Sequence, residues 1–581
     1  MFRLRRYLKK YILQLIVGPV CKLTEAVFEL IVPMITADII DVGVRTGDPY
    51  YVWSRGSLMV LLGVLGLGFA LVCQKSASVA AQGFGTELRY DMFRHIGSLS
   101  HSELDKLGTP SLITRMTSDI NQLQWAVAML IRLVIRAPFL VVGALIAAMM
   151  IDMRLSLVFF GASLLIALIL FLVMNRSVPY FKSMQSKLDR VSLISRENLS
   201  GARVIRAFNK EKDDCDRFAE SNDELQATSV RIGRISALLN PLTYIVAQGA
   251  IIAVVWFGAG FVNEGELTTG EIVALVNYMT QILLAMIVVS NLVVVFTRAA
   301  ASASRVNEVF DTKPSVTEGA RVLEEISPEK PAVEFSGVFF GYSEGGKVLR
   351  NISFRAEKGQ TIGIIGGTGS GKTTLVNLIP RFYDVSEGSV SVGGENVRKY
   401  TFSSLRRRMG IVPQGSALFA GSIRDNMTWK KKDASDEEIE NALKTAQAYE
   451  FVEKFPEKTD KLILAGGKNL SGGQRQRLTI ARALVGKPDI LILDDSASAL
   501  DFATDAALRR SLSRDLGDTT VFIVSQRVGT VRSADMILVL DEGELVGMGT
   551  HDQLVDDCPV YREICMTQLR EEEMYAPGVK K

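Results

Sequence analysis

The sequence predicts a two-part chain: an all-α membrane domain with six transmembrane helices, then an α/β domain built around a phosphate-binding loop. Three observations predict it. Apolar stretches long enough to cross a bilayer crowd the first half. Near residue 332 the pattern changes to short apolar strands alternating with helices. One of those strands opens the segment TIGIIGGTGSGKTT (361–374), a glycine-rich turn that ends in a lysine and two threonines.

The apolar stretches lie near 12–36, 57–80, 126–150, 154–175, 240–262 and 270–296. A span takes about 20 residues. In lipid, an isolated run of that length satisfies its backbone only as a helix. Hydrophobic residues make up 48% of the 581, high for a soluble enzyme. The first stretch follows the basic start MFRLRRYLKK and so looks like a secretory signal. It runs on past Cys21, however, with Lys22, Glu25 and Glu29 inside it and no small-residue cleavage site. It is expected to be retained as the first membrane helix.

Basic residues set the orientation. Arg3, Arg5, Arg6, Lys9 and Lys10 open the chain; Arg89, Arg94, Lys106 and Arg115 lie in 81–125; Arg203, Arg206, Lys210, Lys212 and Arg217 lie in 176–235. The short 263–269 segment has Glu264 and Glu266 and no basic residue. The N-terminus, both long segments and the C-terminal domain are therefore expected on the cytoplasmic side of a cell membrane. Unstructured loops of such length are uncommon, so the long segments read as helical extensions. They turn at Gly108-Thr109-Pro110 and at NKEKDD (209–214), where they can touch the second domain. Charges within spans line a substrate cavity or pair between helices. The sequence leaves both open for Lys22, Glu25, Glu29, Arg132 and Arg136.

The expected domains are 1–310, a polar linker 311–331 holding Pro314, Pro328 and Pro331, the α/β domain 332–570, and a polar tail 571–581. A net charge of +3 gives no reason to expect a nucleic-acid partner. The five cysteines, Cys21, Cys73, Cys215, Cys558 and Cys565, form no CxxC and read as reduced thiols.

The chemistry lies in the α/β domain. Gly366, Gly367, Thr368, Gly369, Ser370, Gly371, Lys372, Thr373 and Thr374 fit GxxxxGK[ST] and its flank. Backbone N–H groups of such a loop close around phosphates, the lysine adds a point charge, and the Thr373 hydroxyl can ligate Mg²⁺. Further on, DILILDD (489–495) is an apolar strand whose end offers Asp494 as a second magnesium ligand.

Between them stands NLSGGQRQR (469–477). With the loop and the acidic strand, this motif makes nearly the whole chain resemble the ABC transporter superfamily. Six membrane helices followed by one ATPase domain resemble its exporter-type half-transporters. The resemblance implies ATP and Mg²⁺ as ligands, a lipid membrane, and a second half-transporter as partner. It implies that Tyr342 stacks on adenine and that Gln414, in GIVPQ, reaches Mg²⁺. Ser471, Gly472, Gly473 and Gln474 would close over ATP held by the partner's domain, and Ser498 to Asp501 would cross the same interface. The turns near Thr109 and Asn209 would be coupling helices.

Three positions depart from the family pattern. Asp495 stands where a glutamate acts as general base, one methylene shorter; a shortfall of about 1 Å costs on the order of a hundredfold in rate. Gln526 stands where a histidine meets the γ-phosphate, and an amide cannot carry a proton as imidazole does. Ala465 and Gly466 occupy a stretch that usually holds a glutamate. His95 and His101 are placed in the membrane half, and His551, in GTHDQL, reads as a helix cap, so no histidine is expected to substitute. The combination resembles the degenerate-site subunit of heterodimeric bacterial exporters. Its implied function is ATP-driven export of small hydrophobic or amphipathic compounds. A homodimer with two slow sites, and an ATP-gated regulator or channel, are the alternatives.

Overall fold

Large apolar side chains in the first half face outward. Ile146 is 53% exposed, Leu164 57% and Trp256 78%, whereas Ala144, Ala148, Ala247 and Ala250 are buried. A water-soluble core inverts this order. Small residues at helix contacts with large apolar faces outside are what a bilayer favours. The computed structural model describes residues 2–342, 346–496 and 500–569. It divides into two units: Met1–Gly97 with Thr109–Asp311, and Ser98–Gly108 with Thr312–Lys581. The expected tail, 571–581, lies outside the described residues.

Among the described residues the first unit holds six long helices, and every predicted apolar stretch falls inside one of them. Pro49–Ser98, Thr109–Ile151, Met153–Ala207, Glu211–Asn263 and Thr269–Asp311 are long and apolar enough to cross a membrane. Ile12–Asp38 has the length, 27 residues, but contains Pro19 and Pro33 as well as Lys22, Glu25, Glu29 and Asp38. Met153–Ala207 runs for 55 residues. At 1.5 Å each that is about 80 Å, against a hydrocarbon core of about 30 Å, so the extension predicted from sequence is a continuous rod. It ends at Asn209, whose φ of 53° makes the turn before Glu211 restarts the helix. The membrane charges are mostly paired. Lys22 meets Glu25 on its own helix and Arg136 reaches Glu29 across helices, each at 2.6 Å.

The second unit carries a six-stranded sheet. From edge to edge its strands are Glu544–Gly549, Met536–Asp541, Thr361–Gly366, Thr520–Val524, Ile490–Asp494 and Met409–Val412. The last five are parallel, and Ile490–Asp494 and Thr520–Val524 are buried at every position. That follows from helices covering both faces, which makes the strands continuous apolar runs. An antiparallel sheet of Leu349–Ala356, Val333–Phe340, Glu387–Val392 and Glu395–Asn396 packs beside it through a shared apolar cluster.

Two expectations about histidines are corrected here. His101 does not lie with the membrane helices. It opens the seven-residue helix His101–Leu107, which belongs to the second unit and stacks its ring on Phe382 at 4.4 Å. Ser100 and Glu103 cap that helix reciprocally, and Gly108 (φ 72°) ends it. Tyr383 donates a hydrogen bond to Asp105 at 2.7 Å. His551 is not a cap either. Thr550 is the cap, paired with Gln553, and His551 is buried with a ring nitrogen 2.8 Å from the Tyr561 hydroxyl. A threonine followed three residues later by glutamine satisfies two helix N–H groups at once, which imidazole at the next position cannot do.

Candidate functional site

The strand Thr361–Gly366 ends where the chain must pass close to its neighbour. A Cβ on Gly366 would sit 2.0 Å from the carbonyl oxygen of Leu540. Five residues later Gly371, at φ 96°, caps the helix Lys372–Leu378 in a left-handed conformation that other residues avoid. The loop between them wraps the lysine. Lys372 Nζ donates to the carbonyls of Gly366 (3.0 Å) and Gly367 (2.5 Å) and lies 3.3 Å from Ser370 Oγ. Burial lowers its pKa, while Asp495 and Asp494 push the other way.

The sheet order brings three strand ends together. Thr520–Val524 lies between the loop strand and Ile490–Asp494, so the chain after Val524 emerges between the phosphate loop and the acidic pair. Thr373 donates to Asp494 at 2.9 Å. Asp495 sits at φ 47°, held there by its N–H on the Val524 carbonyl at 3.0 Å. Its side chain takes a hydrogen bond from Gln414. Burial raises the pKa of both aspartates. Thr373 opposes this at Asp494, where the charge of Asp495 adds to it; Gln414, Arg527 and Lys372 oppose it at Asp495.

These groups line one cleft of about 330 Å³. Of the residues singled out from sequence, it gathers Thr368, Gly369, Gly371, Lys372, Thr373, Thr374, Gln414, Asp494, Asp495 and Gln526. Gly366, Gly367 and Ser370 hold the lysine from behind. Tyr342 does not line the cleft; its hydroxyl lies 3.0 Å from that of Thr374 at the rim. Val348 and Ser525 do line it and were not singled out. Ser525 adjoins Gln526, which was a usable signal; Val348 comes from the turn before the strand Leu349–Ala356 and left none. Gln568 was also missed. Its amide donates to the Gln526 carbonyl at 2.8 Å and accepts from the Val528 N–H at 2.9 Å, bracing the loop that carries Gln526.

Ser471, Gly472, Gly473, Gln474 and Asp501 are not in this cleft. Ser471 caps the helix Gly472–Leu484, exchanging hydrogen bonds with Gln474, and Asp501 caps Phe502–Asp515. Ser498 and Ala499 lie outside the described residues. Ala465–Gly467 forms a tight turn with Gly466 at φ 72°.

Chemically, the cleft offers the Lys372 cation, backbone amides at a helix start, the hydroxyls of Thr368, Thr373, Thr374 and Ser525, and two adjacent carboxylates, a set that suits a phosphate chain. The donors near Asp494 are all oxygens, the preference of Mg²⁺, which binds through one or two carboxylates plus substrate phosphates. Two neighbouring carboxyl groups with raised pKa values also fit a divalent cation, whose charge favours their ionised form. Thr373, Asp494 and Gln414 could hold it. No cluster of three metal-binding side chains exists among the described residues.

Comparison with known proteins agrees with this geometry. Residues 15–286 match the model of the ABC transporter transmembrane region, and 349–498 match the ABC transporter model. YfiB of Bacillus subtilis, an uncharacterized ABC transporter ATP-binding protein, is 36% identical over 97% of this chain and 98% of its own. The ATP-dependent lipid A-core flippase of Desulfotalea psychrophila is 32% identical, with 85% of each chain covered. The solved structure of a bacterial Atm1-family ABC exporter with ATP bound superposes with a TM-score of 0.78 at 23% identity, over 98% of this chain and 99% of that one. With its helical transmembrane region and its ATPase domain on one polypeptide, the chain belongs to the ABC transporters.

Proposed function

We propose that this chain is one subunit of a heterodimeric exporter in a cell membrane, with its N-terminus and ATPase domain cytoplasmic, whose own site binds Mg-ATP and hydrolyses it poorly. The cargo is a small hydrophobic or amphipathic compound; one relative is named a lipid A-core flippase. The observation that carries the reading is the pairing of Asp495 and Gln526 in one cleft with an intact phosphate loop. The loop amides and Lys372 suit the phosphates, and Thr373 and Asp494 offer oxygens to Mg²⁺. Asp495 has the charge of a general base without the reach, and its carboxylate is occupied by Gln414. Gln526 offers an amide where proton chemistry is needed. Magnesium, when bound, would neutralise phosphate charge. The partner would supply the full glutamate and histidine, and this chain's Ser471 to Gln474 would serve the partner's nucleotide.

The test is the full-length chain alone in lipid nanodiscs. It should bind Mg-ATP yet turn it over slowly, and Asp495→Glu with Gln526→His should raise turnover by about a hundredfold. Rapid hydrolysis by the unaltered chain alone would sink the proposal. Slow hydrolysis that the same substitutions fail to raise would favour the ATP-gated alternative.

A further inference from the structure

One span charge lacks the partner its neighbours have. Arg132 lies in a π-helical turn, Leu130–Val134, that interrupts the long helix Thr109–Ile151. Lys22 and Arg136 each meet a glutamate. Arg132 has no carboxylate within salt-bridge distance among the described residues. It lines a cavity of about 320 Å³ with Gln74, Gln82, Asn121, Gln124 and Trp125. A π turn inserts one extra residue and re-aims the side chains around it, and such turns recur at functional sites. A membrane-embedded cation without a counter-ion is costly and therefore points to function.

The surroundings add positive charge rather than cancel it. Arg89 sets its guanidinium on neutral amides, Asn121 and Gln124, both at 2.6 Å, and Gln124 in turn donates to Gln82 at 3.0 Å. Carboxylates on nearby turns are engaged elsewhere: Glu87 holds Lys10 at 2.9 Å, and Asp91 accepts from Tyr7 at 2.9 Å. The rest of the wall is Ser78, three alanines and the indole of Trp125.

We propose that this cavity binds an amphipathic anion, with its carboxylate or phosphate on Arg132 and its apolar body against Trp125. The volume suits one head group and a short part of the body. That the anion is cargo rests on the export reading; that it binds here does not.

The experiment uses the full-length chain, co-purified with its partner, in phosphatidylcholine nanodiscs without nucleotide. The probes are decanoate, decyl phosphate, decanol and decyltrimethylammonium, titrated calorimetrically. The two anions should bind at least about tenfold tighter than decanol or the ammonium. Arg132→Gln or Arg132→Met should erase that preference, and Arg132→Lys should keep it. Discs containing phosphatidylglycerol separate two sources of the anion. Weaker anion binding there by the parent, but not by Arg132→Gln, assigns a lipid head group; no change assigns a free anion. Equal binding of all four probes, or a preference that survives Arg132→Gln and Arg132→Met, overturns the site. Anion binding without ATP-driven uptake into inverted vesicles leaves the site standing and sinks export. Uptake only of cations, indifferent to Arg132, does the reverse.

Discussion

Asp494 is held at a cost to the fold. Burial raises its pKa above the ordinary carboxylate value, and the neighbouring charge of Asp495 adds to the shift. A carboxyl group whose folded pKa lies above its unfolded one gives stability at low pH and loses it as pH rises through the folded value. At pH 7 the folded domain therefore carries a penalty that the unfolded chain does not. Asp494→Asn removes the charge and keeps an oxygen for the Thr373 hydroxyl. The variant is expected to melt above the parent at pH 7 without nucleotide, to lose that advantage as pH falls to the ordinary carboxylate value of 3.8, and to gain little from Mg-ATP. Thermal melts at both pH values check all three; a lower melting temperature at pH 7 contradicts the argument. At this scale the sequence was informative wherever contacts are local. The loop from Gly366 to Thr374 and the pair Asp494 and Asp495 are contiguous motifs, and strand ends bring them together. Val348 and Gln568 reach the site from separate segments by tertiary packing alone, so no spacing announced them.

Two elements of the second unit are held partly by side-chain contacts that single substitutions can remove. Gln568 ends the helix Pro559–Gln568 and clamps the backbone at the Gln526 carbonyl and the Val528 N–H. In the Asp495→Glu, Gln526→His background, Gln568→Ala should cut kcat about tenfold while leaving the KM for ATP near its starting value, since the clamp aims the loop and touches no nucleotide group. A rise in KM with unchanged kcat would assign it to binding instead. The short helix His101–Leu107 is tied by its ring stack and by Asp105. Burial and then the charge of Arg406 lower the His101 pKa from its ordinary 6.5. For a base shifted downward, the packed state takes up fewer protons than the free one, so stability is complete above 6.5 and falls as pH drops through and below it. Hydrogen exchange across Ser98–Gly108, corrected for intrinsic rate, should show protection falling below pH 6.5 in the parent and flat in His101→Phe. The membrane rods were legible from their apolar runs. The partition of this helix was not, because seven residues bury too little by themselves and their place is decided by Phe382 and Tyr383.

For the whole molecule, the question is which site each motif serves. Gly472 begins the helix Gly472–Leu484, and a Cβ built on it meets no atom within 4 Å. Nothing inside this chain requires glycine there; alanine should leave the fold intact or stabilise the helix by up to about 1 kcal/mol. A requirement for glycine would then come from outside the chain, from a nucleotide held by the partner and pressed against this helix start. Lys372 is the opposite case, since its contacts lie wholly within its own loop. In the co-purified pair, Gly472→Ala should therefore lower ATP turnover by more than about tenfold while this chain melts no lower than before. Lys372→Ala should leave most of the turnover in place. A homodimer gives a different pattern: both substitutions fall on every site, and both abolish turnover. If Gly472→Ala is silent in the pair while Lys372→Ala is severe, this chain hydrolyses at its own loop, and the division of labour inferred from Asp495 and Gln526 is wrong.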